Sequence, residues 1–152
     1  MEQNYTLRLA EPQDLAAVTA LRMAMLREVA APLPEDMRQA VEGYLRTHLA
    51  DGSCLCALME EDGVPVASAM LCVSESVPDE VNLSGRFATL ASVYTLPRYR
   101  GQGRMEQLLR WLLQQGRAAG IKEVYAGAER KAIPLYQRIG FVLTETEMVI
   151  AL

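Results

Sequence analysis

The sequence has one histidine and three cysteines, too few for most metal centres. Zinc sites generally take four ligands, and "CLC" at residues 54–56 with His48 falls short of that set. No metal is expected. Three cysteines cannot all pair within one chain. Cys54 and Cys56 point to one face of a strand and Cys72 falls in the next strand, the pattern of small buried hydrophobes in a reducing compartment. A cytoplasmic location is expected. Positive charge is not in excess: 15 Lys and Arg against 19 Asp and Glu leave a net charge of −4, which argues against nucleic acid as a general partner. No apolar run approaches the roughly 20 residues of a membrane span. The opening "MEQNYTLRLAEPQDL" lacks the basic segment and apolar core of a signal peptide. Repeats, low-complexity tracts and linkers are also missing. The 152 residues, 51% hydrophobic, therefore read as one globular domain over 1–152.

What is present alternates in period. "YTLRLA" (5–10) alternates like a short strand, and residues 11–29 carry Leu15, Val18, Leu21, Met25, Leu26 and Val29 at helical spacing, with Pro12 in the first turn. A second helix places Met37, Val41, Tyr44, Leu45 and Leu49 on one side and ends at Asp51-Gly52. Residues 53–73 read as two strands joined around Asp62-Gly63, a hairpin signal. A loop follows at 77–85 and a strand at 87–96. Met105, Leu108, Leu109, Leu112 and Leu113 then form the apolar stripe of a helix, with Gly120 as its C-cap. "KEVYAGA" (122–128) is a strand, "RKAIPLYQRI" (130–139) a helix capped by Gly140, and "FVLTETEMVIAL" (141–152) a final strand. The order β-α-α-β-β-β-α-β-α-β predicts an α/β domain around a mixed sheet.

The stretch "LPRYRGQGRMEQLLRWLL" (96–113) sets two glycines and several arginines between a strand and an amphipathic helix. A helix start leaves four backbone N–H groups without helical partners, and the dipole adds roughly half a positive charge there. Gly101 and Gly103 let backbone approach an anion closely, and Arg98, Arg100 and Arg104 can add charge and forked donors. A phosphate or pyrophosphate is the favoured ligand. The Gly-Lys-Ser/Thr of a P-loop does not occur. A nicotinamide-binding loop wants Gly-x-Gly-x-x-Gly, but Gly103 is followed by Arg104, Met105 and Glu106, Glu123 precedes the strand whose end should carry the acid, and the early hairpin breaks a parallel order.

"YRGQGRM" after the strand "SVYTLP" resembles the acetyl-CoA loop of the GNAT superfamily of N-acetyltransferases, which runs Arg/Gln-x-x-Gly-x-Gly/Ala. Arg100 takes the first place and Gly103 the middle glycine, while Met105 departs from the pattern in the last. "AIPLYQRIGF" (132–141) resembles the second signature, Ala-x-x-Leu-Tyr-x-x-x-Gly-Phe. The resemblance covers the order of elements from end to end. It implies the GNAT fold, with a splayed strand that binds acetyl-CoA, and direct transfer of an acetyl group to a primary amine of a small molecule or peptide in a ternary complex.

That resemblance also assigns roles. Backbone amides of Gly101, Gln102, Gly103, Arg104 and Met105, with Arg100, would hold the pyrophosphate. Val93, Tyr94 and Thr95 would bond the pantetheine amides, and one N–H there would polarise the thioester carbonyl. Tyr136 would protonate the leaving thiolate as general acid. Met105 must turn its side chain to the core, and Glu129 stands where the family commonly has Asn, so that contact does not carry over. Ser92, Glu28, Glu75 and Glu129 are open candidates for a base, and none is assigned. The acceptor would meet residues 25–44, including Arg27, Glu28, Glu35 and Asp36, with Met23, Met25 and Met37 as pocket lining or core. Relatives are often homodimers through strand or helix contacts. The competing reading is a non-catalytic acyl-CoA sensor or scaffold on the same fold.

Overall fold

The structure, a computed structural model, describes residues 4–152. Strand β1 (Tyr5–Leu9) leads through a single 3-10 turn at Pro12–Asp14 into helix α1 (Leu15–Ala30), and α2 (Met37–Asp51) follows. Next come β2 (Cys54–Glu61), β3 (Val64–Glu75) and β4 (Arg86–Thr95). Helix α3 (Arg104–Ala118), strand β5 (Glu123–Ala126) and the short helix α4 (Ile133–Arg138) complete the regular elements. The sheet runs β1-β2-β3-β4-β5. Its first three pairings are antiparallel, and β4 with β5 is parallel. This is the mixed α/β sheet the sequence predicts.

Local chemistry accounts for the joints. Asp62 and Gly63 take φ values of 51° and 80° and close the β2–β3 hairpin, since a two-residue turn of this hand needs positive φ at both positions. Gly120, at φ 82°, stops α3. Its N–H donates to the Arg117 carbonyl (3.0 Å) and that of Ile121 to Gly116 (3.0 Å), so carbonyls of the last turn keep partners.

The sheet has a core on each face. Ala57, Met59, Ala69, Leu71, Ala88 and Leu90 meet Leu108, Leu109 and Leu112 of α3. On the other side, Cys54, Cys56, Leu58 and Met70 meet Val18, Leu21 and Met23 of α1 and Val41, Leu45 and Leu49 of α2. Cys54 and Cys56 thus share a face, as their spacing requires. Burial pushes the Cys56 thiol up to about 12, so it stays neutral. Val29, expected on the apolar side of α1, is 58% exposed because it sits in the last turn, beyond the sheet contact.

One expected element does not form. Residues 141–152, read as a final strand, run without ladder pairing, and every residue from 142 onward is exposed. A strand exists only by bonding a neighbour, and this segment pairs with no strand among the described residues.

Candidate active site

The site begins at an irregularity in β4. Ser68 pairs with Tyr94, but Met70 pairs with Ala91, so Ser92 and Val93 together stand opposite the single Ala69. This is a β-bulge. Ser92 takes φ 54°, uncommon for a residue other than glycine. Among the described residues its buried hydroxyl has no hydrogen-bond partner. The bulge also switches which face each side chain meets. Leu90 faces α3, but Tyr94, which unbroken alternation would put on the same side, joins the α1/α2 core, and Val93 packs toward α3.

Beside the bulge, the sheet splits. The β4–β5 ladder runs from Phe87 with Glu123 to Leu90 with Ala126 and stops, while β4 continues to Thr95. Residues 91–95 therefore turn one backbone edge toward a gap. This is the splayed strand the sequence leads one to expect, and Val93, Tyr94 and Thr95 lie on it.

The chain then passes through Pro97–Tyr99 into the glycine loop. Gly101 and Gly103 both take φ 73°, a conformation that costs other residues roughly 1–2 kcal/mol. A Cβ built on either meets nothing within 4 Å. Glycine is thus held there by the backbone and not by crowding, with open space before it. Gly103 is the N-cap of α3, so the first-turn N–H groups of that helix border the same space. Two observations fit a ligand carrying a pyrophosphate and amides: an uncrowded glycine cradle at a 15-residue helix start, and an unpaired strand edge leading to it.

Arg100 bridges this loop to α1. Its Nε donates to the Thr95 carbonyl (2.8 Å), and its Nη2 donates to both Glu28 oxygens (3.0 and 2.9 Å). The Tyr94 hydroxyl donates to Glu28 Oε1 (3.1 Å), and the guanidinium lies 5.4 Å from the Tyr94 ring centre. Arg100 first, then the Tyr94 hydroxyl, hold the Glu28 carboxyl below its ordinary range against a smaller desolvation effect. Burial, then Glu28, hold the Tyr94 phenol above its own.

Arg104 departs from expectation. Its side chain is buried, with the guanidinium 3.7 Å from the Tyr5 ring centre and 4.8 Å from that of Tyr99. It braces β1 against the loop, and only its backbone N–H stays at the helix start. Met105 does turn into the α3-side core. Gln102 is exposed, its amide reaching the Arg98 carbonyl at 3.5 Å.

Tyr136 belongs to that same core cluster, with Val93 and Met105 packed against it. Its ring lies 5.5 Å from that of Phe141, and it is 8% exposed. Burial, and then Glu129, raise its phenol above the ordinary value, so it keeps its proton at neutral pH. It lines a cleft of about 1070 Å³ with Thr89, Ala126 and Gly127. The base candidates do not converge. Glu28 is ion-paired, and Glu75 and Glu129 are exposed. Met23 is buried in the α1/α2 core, against which Met25 and Met37 pack. The sequence carries no signal for the bulge, because "ASVYT" has no glycine to flag a left-handed turn, nor for the Glu28–Arg100 bridge, which joins residues 72 apart.

A mixed sheet whose bulged, splayed strand feeds a glycine loop and a helix start is the arrangement that the GNAT resemblance implies. Residues 17–141 match the Acetyltransferase (GNAT) family, and the chain belongs to it. A predicted acetyltransferase with acetyl-CoA from Clostridium acetobutylicum superimposes with a TM-score of 0.90 at 22% identity, over 97% of this chain and 96% of that one. A GCN5-related N-acetyltransferase from Ralstonia eutropha gives 0.85 at 28% identity, over 98% and 99%. The aminoglycoside N-acetyltransferase AAC(6')-Iy in complex with CoA gives 0.75 at 19% identity, over 99% and 96%. No curated protein matches the sequence. No helix among the described residues is long and apolar enough to cross a membrane.

Proposed function

We propose that residues 1–152 act as one domain that moves an acetyl group from acetyl-CoA to a primary amine of a small molecule or peptide, by direct transfer in a ternary complex. The observation that carries this reading is the unpaired edge of β4 at residues 91–95, running into the glycine cradle. Acetyl-CoA supplies the acetyl group as a reactive thioester. Amides of Gly101, Gln102, Gly103, Arg104 and Met105 hold its pyrophosphate, with Arg100 leaving Glu28 to join them. Val93, Tyr94 and Thr95 extend their backbone to its pantetheine amides. One N–H of that segment aims at the thioester carbonyl, a donor type worth roughly 2.7–4 kcal/mol to an oxyanion.

The amine nitrogen forms its bond to the acetyl carbon as the carbon–sulfur bond breaks, the Tyr136 hydroxyl gives its proton to the departing sulfur, and the proton released from the nitrogen as the amide forms returns through solvent to the phenolate. Phenol to thiolate is uphill by about 2 kcal/mol on ordinary values of about 10 and 8.5. Burial of Tyr136 increases that gap but keeps the donor protonated. The incoming amine, with an ordinary value near about 10.4, must shed a proton first. Glu28 suits that task poorly while Arg100 holds it and lowers its basicity.

Thermal melting with and without acetyl-CoA, repeated for Gly103→Glu, tests the cradle. Ligand at 100 times its dissociation constant adds about 2.7 kcal/mol, which the variant should lose. Turnover with a panel of amines then tests the transfer. Binding without turnover of any amine would favour the sensor or scaffold reading, and no shift up to millimolar acetyl-CoA would end both.

A further inference from the structure

Cys54 and Cys72 stand directly opposite each other on β2 and β3. Beside them the Val73 N–H donates to the Ser53 carbonyl at 2.7 Å, so Ser53 and Val73 are a hydrogen-bonded pair of the ladder. Hydrogen-bonded and non-hydrogen-bonded pairs alternate along antiparallel strands. Cys54 and Cys72 are therefore a non-hydrogen-bonded pair, the kind whose Cα atoms stand about 4.5 Å apart. A disulfide spans Cα separations of about 4.4–6.8 Å. Both side chains meet the α1/α2 core, Cys54 within it and Cys72 at its edge. The ladder thus holds two thiols on one face within bridging range.

The third cysteine gives the contrast. Cys56 stands opposite Met70 and is wholly buried, and burial keeps its thiol neutral.

Cys72 has the surroundings of a reactive thiol. It is half-buried, whereas Cys54 is 4% exposed. The Cys54 thiol and the Tyr44 hydroxyl face its sulfur, with Arg22 and His48 nearby. Donation from Cys54 first, and then Tyr44, Arg22 and His48, favour the Cys72 thiolate over the desolvation that opposes it. Cys54 Sγ also lies 3.8 Å from the Met70 sulfur. A thiolate is a stronger acceptor than a neutral thioether, so the Cys54 proton turns to Cys72. A thiol of this kind, reachable from solvent and set beside a second thiol, is the arrangement that senses oxidants. The acetyl transfer uses neither cysteine.

We propose that Cys54 and Cys72 form a peroxide-responsive dithiol, in which hydrogen peroxide oxidises Cys72 and Cys54 resolves the product into a disulfide. The Cys72 thiolate attacks one peroxide oxygen, forming an S–O bond as the O–O bond breaks. The hydroxide that leaves takes up a proton and becomes water. The Cys54 sulfur then attacks the sulfenic sulfur of Cys72, and its own proton goes to the departing hydroxide. An S–S bond forms and a second water leaves. The two sulfurs have together given two electrons to the peroxide. This chemistry does not depend on the reaction proposed above.

Peptide mapping tests it. Fully reduced protein is treated with hydrogen peroxide, denatured in the presence of iodoacetamide and cleaved after glutamate. Cleavage after Glu60 and Glu61 parts the two strands, so the bridge should appear as two joined peptides that dithiothreitol separates. Cys56→Ser should form it at the wild-type rate. Cys54→Ser should stop at the sulfenic acid, trapped by dimedone on Cys72, and Cys72→Ser should yield neither product. Circular dichroism checks the fold of each variant. Wild-type protein that keeps Cys72 as a free thiol while glutathione in the same solution is oxidised would overturn the proposal, whatever the variants do. So would a bridge that survives Cys54→Ser, which would assign the pairing to Cys56, or one that links two chains. Dimedone on Cys54 in the Cys72→Ser protein would equally refute the assignment of Cys72 as the attacking sulfur.

Discussion

Arg100 holds Glu28 through two contacts of 3.0 and 2.9 Å, tying the glycine loop to a helix 72 residues earlier in the chain. The same guanidinium is the one proposed to meet a pyrophosphate, so the two anions compete for it. The pair is exposed, 46% at Arg100 and 41% at Glu28. Exposed pairs add little to stability.

Glu28→Gln should therefore leave the melting temperature almost unchanged and tighten CoA binding severalfold by freeing Arg100. Arg100→Ala should weaken binding about tenfold and flatten its salt dependence. Titration calorimetry at two salt concentrations reads both. Equal affinity in all three proteins would remove Arg100 from the binding account.

Ser92 holds a left-handed conformation inside a strand, of the kind that costs roughly 1–3 kcal/mol. Ser92→Gly should relieve part of it and remove a buried hydroxyl without a partner, raising stability by about 1 kcal/mol. Ser92→Val should lower it by about 2 kcal/mol, since a β-branched side chain resists positive φ. Urea denaturation gives the sign, and a loss of stability in the glycine variant would contradict the strain.

Arg8 joins β1 to its surroundings, donating to Asp14 at 2.7 and 2.8 Å and to Glu60. The Arg8 guanidinium first, and then the Glu11 N–H, hold the Asp14 carboxyl below its ordinary value despite partial burial. A depressed carboxylate contributes stability that is complete above its unfolded value, near about 3.9, and is lost as pH falls through the lower folded value. Asp14→Asn should cost about 1 kcal/mol at neutral pH, discounted for solvent screening. The loss should shrink below pH of about 4. A pH series of melts checks it, and a loss constant down to pH of about 2 would assign the effect to packing.

Tyr136→Phe keeps the ring against Phe141 and removes only the hydroxyl. Stability should hold, while kcat falls by about 100-fold at neutral pH if the hydroxyl protonates the leaving sulfur. Because burial raises the phenol, the wild-type profile should show no alkaline loss from this group below pH of about 10. Full rate in the variant across pH would reduce Tyr136 to packing.

Several features were legible in the residues because their causes are local. Asp62-Gly63 closes a hairpin, the stripe from Met105 to Leu112 makes α3 amphipathic, and Gly101 and Gly103 supply a left-handed loop whatever surrounds them. The two family signatures lie within single stretches for the same reason. Tertiary structure alone decided where Arg100 and Arg104 point: one reaches Glu28 across the fold, the other stacks on Tyr5. It also decided that Ser92 bulges, since a bulge is defined by the register of β3 beside it. Residues 141–152 make the sharpest division. Their composition says strand, but a strand needs another backbone to bond, and which backbone that is depends on the packing of the whole molecule.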